Sequence, residues 1–223
     1  MILTKSAKFW MGIGFEIQIR TEIRFDWSFI SAVAVKIGND VLEVQSKAAY
    51  YLNGVQSAEL PGALSTFPVT TKDHGEKRHM FEVSLRDMGT VVIKVYGDFL
   101  AVTVKNAHAN NFGDSVGLMG SFEGKLIGRD RYTEFHDTNL YGLEWQVQDS
   151  ETMLFKDIKG PQFPAMCNMP SHQLSRRRLA EEGMISMADA ERACRFWPIA
   201  ARESCIYDTL STGDLGMAEA GAF

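Results

Sequence analysis

Residues 116–147 read VGLMGSFEGKLIGRDRYTEFHDTNLYGLEWQV, and this stretch, from Val116 to Val147, decides how the rest of the chain is read. Gly117, Gly120, Gly124 and Gly128 recur every three or four positions, and Tyr141-Gly142 follow ahead of Trp145-Gln146-Val147. Glycines this dense mark backbone that turns tightly, takes positive φ or approaches another group closely. On spacing alone the stretch is a long turn joining two strands, the second of them Trp145 to Val147.

Upstream, the pattern is that of strands. Phe15, Ile17 and Ile19 alternate with Glu16, Gln18 and Arg20, a period of two that marks a half-buried strand. Ala32 to Ile37 and Val41 to Val44 flank Gly38-Asn39-Asp40, a good hairpin turn. Tyr50 to Leu60 reads as a weaker edge strand ending at Pro61-Gly62, and Phe67 to Thr71 as a short strand. Met80 to Leu85, Thr90 to Tyr96 and Phe99 to Lys105 are three further strands, separated by Asp87-Met88-Gly89 and Gly97-Asp98. Short strands with polar turns about every ten residues predict an antiparallel two-sheet sandwich, mainly β, and not a βαβ fold. Asn106 to Ser115 is then a loop delivering the chain to the glycine stretch, and Trp145 closes the sandwich as a large buried aromatic. Its truncation to alanine should cost about 3–5 kcal/mol.

After Asp149 the character changes. Thr152 to Phe155 is a last short apolar piece, and Lys159 to Pro170 is punctuated by glycine and proline. Ser186-x-x-Asp189 is an N-terminal capping pattern, with Ala190, Ala193, Cys194 and Trp197 at helical spacing. Pro198 interrupts, Ala201 to Leu210 reads as a second short helix, and Gly213 stops it. The tail from Met217 to Phe223 is expected to fray. The domains expected are therefore a β domain over 1–157, a linker over 158–185 and a cysteine-containing helical hairpin over 186–223.

Composition narrows the function. At 223 residues, 45% hydrophobic and 23% charged, the chain can bury a sizeable core. A net charge of −5 gives no pull toward nucleic acid or anionic lipid. Arg176-Arg177-Arg178 has no aromatic interleaving and reads as a solvated face or linker. No apolar run approaches the roughly 20 residues needed to span a bilayer. The apolar run from Phe9 to Phe15 lacks a small-residue cleavage motif and makes a poor signal peptide. Cys167, Cys194 and Cys205 make an odd number, so one thiol stays free or pairs outside the chain. Cys194 and Cys205 lie on adjacent helical pieces and are one candidate pair; Cys167 is an equal partner for either.

Few residues suggest catalysis. Gly113-Asp114-Ser115-Val116-Gly117 spells G-x-S-x-G, the nucleophile elbow of a serine hydrolase. The elbow needs a strand before Ser115 and a helix after it, whereas here a polar loop precedes and a glycine turn follows, so Ser115 reads as a loop serine. His74, His79, His108, His136 and His172 are scattered without zinc spacing, and His136-Asp137 reads as a surface turn.

Gly117-Leu118-Met119-Gly120-Ser121-Phe122-Glu123-Gly124, then an acidic position and Tyr141-Gly142-Leu143-Glu144-Trp145-Gln146-Val147, resembles the signature of von Willebrand factor type D domains. In that family a G-L-C-G-N-F-x-G turn leads through an acidic loop to F-G-x-x-W-x-V. Gly117, Gly120 and Gly124 match the turn glycines, Phe122 the buried aromatic, and Gly142 and Trp145 the closing strand. The segment from Cys194 to Asp214 resembles the cysteine-bearing helices that often follow such modules. The resemblance implies a non-catalytic structural or adhesive β module, extracellular or at the cell surface, working through protein partners or self-association. Met119 stands where the family has its turn cysteine and Ser121 where it has asparagine. The Asp-Pro-His-aromatic opening is missing before Gly14, so the chain reads as a D module lacking its first strands. Some members bind calcium in the loop after the turn; Glu123 and Asp130 are the ligands implied here. Lys125 and Arg129 beside them work against a divalent cation.

Overall fold

A computed structural model describes all residues except 25–26, 57–58, 76, 158–184 and 221–223. The chain forms two compact units, one over 1–22 and 28–166, the other taking in 23–27 and 167–223.

The first unit holds two antiparallel sheets, each a simple meander. The first has six strands in sequence order: β1 (Ile2–Ser6), β2 (Phe15–Arg24), β3 (Trp27–Ile37), β4 (Asp40–Gln45), β5 (Tyr50–Leu52) and β6 (Val55–Gln56). The second runs β11 (Phe99–Lys105), β10 (Thr90–Tyr96), β9 (Arg78–Ser84), β8 (Phe67–Asp73) and β7 (Ala63–Leu64). Alternation explains both. Ile17, Ile19, Val33, Val35, Leu42 and Val44 share one core with Val69, Phe81, Val83, Val91, Ile93 and Val95. Gly38 and Asn39 form the two-residue turn between paired Ile37 and Asp40, with Gly38 at φ +61°.

The N-terminal residues depart from the reading of their sequence. Ile2–Ser6 is a strand of its own, paired with β2 across a bulge at Leu3. The apolar run from Phe9 to Phe15 is core. Phe9 sits in an irregular helical turn, α1 (Phe9–Gly12), and packs on Phe15, Phe67 and Phe112 with ring centroids 5.1–5.7 Å apart.

The far face of the first sheet is covered too. Gln18 points away from the shared core as the alternation requires, yet it is fully buried. Residues 152–157 cross this face as a strap with no regular structure. Gln18 Nε2 donates to Thr152 O at 2.9 Å, and Leu154 N donates back to Gln18 Oε1 at 3.0 Å. Lys156 N donates to the buried Glu43 carboxylate at 2.8 Å, and Arg20 donates to Asp157 O while stacking on Phe155. Leu154 and Phe155 fit because Ala32 and Ala34 beneath them are small.

The described part of the second unit contains three helices, α4 (Met187–Ala193), α5 (Ile199–Thr212) and α6 (Gly216–Ala220). Ser186 Oγ accepts from Asp189 N as the N-cap of α4, and Gly213 ends α5 in the left-handed region at φ +67°. Cys194 and Cys205 are disulfide-bonded with their Cα atoms 5.9 Å apart. Cys167 and Arg176-Arg177-Arg178 lie outside the described residues, as does all but the last residue of the linker expected over 158–185. The tail is not frayed over 216–220: Ala218 is buried against the disulfide, and its carbonyl accepts from Trp197 Nε1 at 2.7 Å. No helix among the described residues is long and apolar enough to cross a membrane.

Candidate functional site

The glycine stretch folds as a clasp over the outer edge of β1. Lys5 and Val116 exchange backbone bonds of 2.8 and 3.0 Å, and Leu118 N and Met119 N donate to Ile2 O and Leu3 O. Ile2 N donates to Trp145 O at 2.8 Å, so both ends of the stretch meet the same strand. This approach dictates the first glycine. A Cβ on Gly117 would stand 2.4 Å from Leu3 O and 2.6 Å from Thr4 Cα, and its φ is +150°. Gly120 at φ +88° and Gly124 at φ +82° turn the chain back, with Ser121 and Lys125 paired through Ser121 N to Lys125 O at 2.8 Å.

The stretch ends in a helix, not a strand. Asp137 Oδ1 accepts from Asn139 N and Leu140 N and starts α3 (Thr138–Glu144); α2 (Ala109–Phe112) is a single turn earlier in the chain. Gly142 therefore sits within a helix, and Trp145 is its C-terminal cap. The expected closing strand is absent because Asp137 supplies an N-cap and Tyr141 and Trp145, four apart, fall on one helical face. Trp145 is fully buried, with Ile2, Val116 and Tyr141 in a small core separate from the one between the sheets.

Cations flank that indole. The Arg129 guanidinium lies 5.1 Å from its centroid and Lys5 Nζ 5.8 Å away. Arg129 donates to Glu144 O, Gln146 O and the Glu151 carboxylate, and Lys5 reaches the same carboxylate at 3.1 Å. Burial would raise the Glu151 carboxyl, but hydrogen bonds from Arg129, Gln148 N and Lys5 outweigh it and hold the group below its ordinary range. Burial pushes the Tyr141 phenol above its usual value.

The other residues singled out by sequence fall as follows. Phe122 is 41% exposed in the turn, so it is not the buried aromatic that the resemblance implies. Glu123 is exposed. Asp130 Oδ1 accepts from Tyr132 N and Thr133 N and its Oδ2 from Thr133 Oγ1, which holds its carboxyl below the usual range. Among the described residues no group of three or more His, Cys, Asp or Glu side chains is placed to hold a metal. Ser115 is buried, follows the α2 turn and leads into Val116 paired with Lys5, so the strand–turn–helix frame of a nucleophile elbow is not there. Asp114 beside it accepts from Ser6 Oγ, Ala7 N and Lys8 N. His136 and Asp137 form no couple, since the aspartate is spent on capping α3.

The sequence reading missed the carboxylate and guanidinium frame of Arg129 and Glu151, and the exposed apolar side chains of the clasp. Met119, Phe122, Tyr132, Leu140 and Leu143 are between 41% and 90% exposed, and Leu140 and Leu143 share a face of α3. No protein-family model matches the chain, and no curated protein matches it as a relative.

Proposed function

We propose that this chain is a von Willebrand type D-like β module with a cysteine-bearing helical tail, serving as a non-catalytic structural or adhesive unit outside the cell or on its surface. The observation that carries the reading is the division of labour in the clasp. Its charged and capping groups are spent on holding the fold, through Asp130, Asp137, Arg129, Glu144 and Glu151. Beside its buried core of Val116, Tyr141 and Trp145, the clasp leaves Met119, Phe122, Tyr132, Leu140 and Leu143 exposed. A surface of that kind suits a protein partner more than a reaction. The Cys194–Cys205 bond supports an oxidising compartment, where such bonds persist.

The test is mass spectrometry of unreduced native protein from medium and from cell lysate. Protein recovered from the medium with Cys194 and Cys205 paired is the expected result. A wholly intracellular pool with both thiols free would overturn the extracellular assignment.

A further inference from the structure

Of the four sheet edges in the first unit, three are blunted. The β1 edge is sealed by the clasp, and β6 and β7 are two residues long. The fourth, β11, is seven residues long and unbroken, in continuous register with β10 from Tyr96↔Phe99 to Thr90↔Lys105. Among the described residues no strand pairs with its outer edge. Its sequence, Phe99-Leu100-Ala101-Val102-Thr103-Val104-Lys105, has no proline, no bulge and one charge at its end. These are the devices by which proteins keep long edges from pairing, and β11 lacks them apart from Lys105.

The turn fixes which groups point outward. Gly97-Asp98 is a two-residue loop between paired Tyr96 and Phe99, with Gly97 at φ +55°. The closing pair of such a loop exchanges both hydrogen bonds, so residues 99, 101, 103 and 105 bond to β10. The N–H and C=O groups of Leu100, Val102 and Val104 then face away from the sheet.

The geometry points to a second copy of this chain as the occupant, paired antiparallel through β11 about a two-fold axis at Val102. In that register Val102 meets Val102, Leu100 meets Val104 and Ala101 meets Thr103, and the outward groups of Leu100, Val102 and Val104 are all satisfied. The side chains of Leu100, Val102 and Val104 belong to the row that packs on the core, and Val102 and Val104 are only partly buried. A second copy would lay the same apolar row beside them. The charges agree: each Lys105 falls opposite position 99 of the other copy, so no lysine faces a lysine. An isologous contact of this kind closes on itself. The inference deepens the interaction-module reading by naming one partner, and rests on it only for that.

Sedimentation velocity over a concentration series of the full chain tests it, with a non-reducing gel to count covalent dimers apart. Ala101 and Thr103 are exposed and lie opposite each other only in the dimer. Ala101→Lys with Thr103→Lys places like charges across both pairs and should weaken the dimer by about tenfold or more. Ala101→Glu with Thr103→Lys places opposite charges there and should keep or tighten it. A wild type that stays monomeric to its solubility limit, or a dimer indifferent to both variants, overturns the β11 pairing. Neither result touches the compartment test of the module reading.

Discussion

The hydroxyl of Tyr141 donates to the carbonyl oxygen of Gly117, so the helix that ends the clasp holds the glycine that begins it. Between them the chain takes positive φ at Gly120, Gly124 and Arg131, and both ends meet β1. The glycines are therefore not equivalent.

Gly117→Ala should destabilise the first unit by about 2–4 kcal/mol, because the methyl group would strike the backbone of Leu3 and Thr4. Gly124→Ala has open space around the new methyl and should cost only about 1 kcal/mol for its φ of +82°. Tyr141→Phe removes one of the two donors to the Gly117 carbonyl, which keeps the Gly120 N–H at 2.8 Å, and should cost about 0.5–1.5 kcal/mol. Urea denaturation of the three variants checks the order; equal midpoints for Gly117→Ala and Gly124→Ala would refute the close approach.

Glu151 should make the first unit acid-labile. Its carboxyl is held below its ordinary value in the folded chain, so the unfolded chain takes up the proton first. The stability it contributes is present above the ordinary carboxylate range and is lost as pH falls through the folded value. Glu151→Gln should lower stability at neutral pH and flatten the decline on acidification. A melting curve with the same acid slope in variant and wild type would show that Arg129 and Lys5 do not depend on this charge.

The strap hangs on two buried polar side chains. Gln18→Leu keeps the volume but removes both partners of Thr152 O and Leu154 N, at about 1–3 kcal/mol for each group left dry. Hydrogen exchange at Leu154 should accelerate in the variant. Ala34→Leu attacks from below and should cost about 1–3 kcal/mol by overpacking against Leu154 and Phe155. Unchanged exchange in both variants would mean that the strap is held by other contacts.

Reduction should loosen the helical unit. The Cys194–Cys205 bond closes a span of 11 residues, and its loss should cost about 2–3 kcal/mol. Cys194→Ala with Cys205→Ala, followed by helical circular dichroism on heating, should show the same loss without reductant. A midpoint equal to the oxidised wild type would mean that Ala218 and Trp197 suffice to hold the helices.

Much of this architecture was legible. Alternation and turn residues located β2, β3, β4, β8, β9, β10 and β11, which each have one face on the shared core. Tyr50 to Leu60, read as one edge strand, is the short hairpin of β5 and β6, and β7 was missed. The Ser186 cap and the Gly213 stop located α4 and α5, because both signals act within one turn. The failures have local causes. Ile2–Ser6 is too short a window to show a period, and its partners stand well along the chain, at Phe15 to Gln18 and, over a hundred residues away, at Val116. Gln18 reads as facing away from the core, and its burial is missed because alternation gives the face and not what covers it. Trp145 reads as part of a strand both on spacing and by the resemblance, although Asp137 and the four-residue spacing of Tyr141 and Trp145 signal a helix. The positive φ values of Gly120 and Gly124 could be expected from glycine density, whereas the contact that requires Gly117 depends on where β1 lies.

The clasp also sets an order of events during synthesis. The strands of each meander are local neighbours and can pair as they emerge, while the outer edge of β1 waits for Val116, Leu118 and Trp145. Chains grow N-terminal end first at roughly 5–20 residues per second, so that edge stays open for several seconds. During that interval the nascent chain presents the β1 edge, which Val116, Leu118 and Trp145 close once they have emerged. A chaperone, or an early neighbour on the same message, would encounter the protein in a form that the finished fold no longer displays.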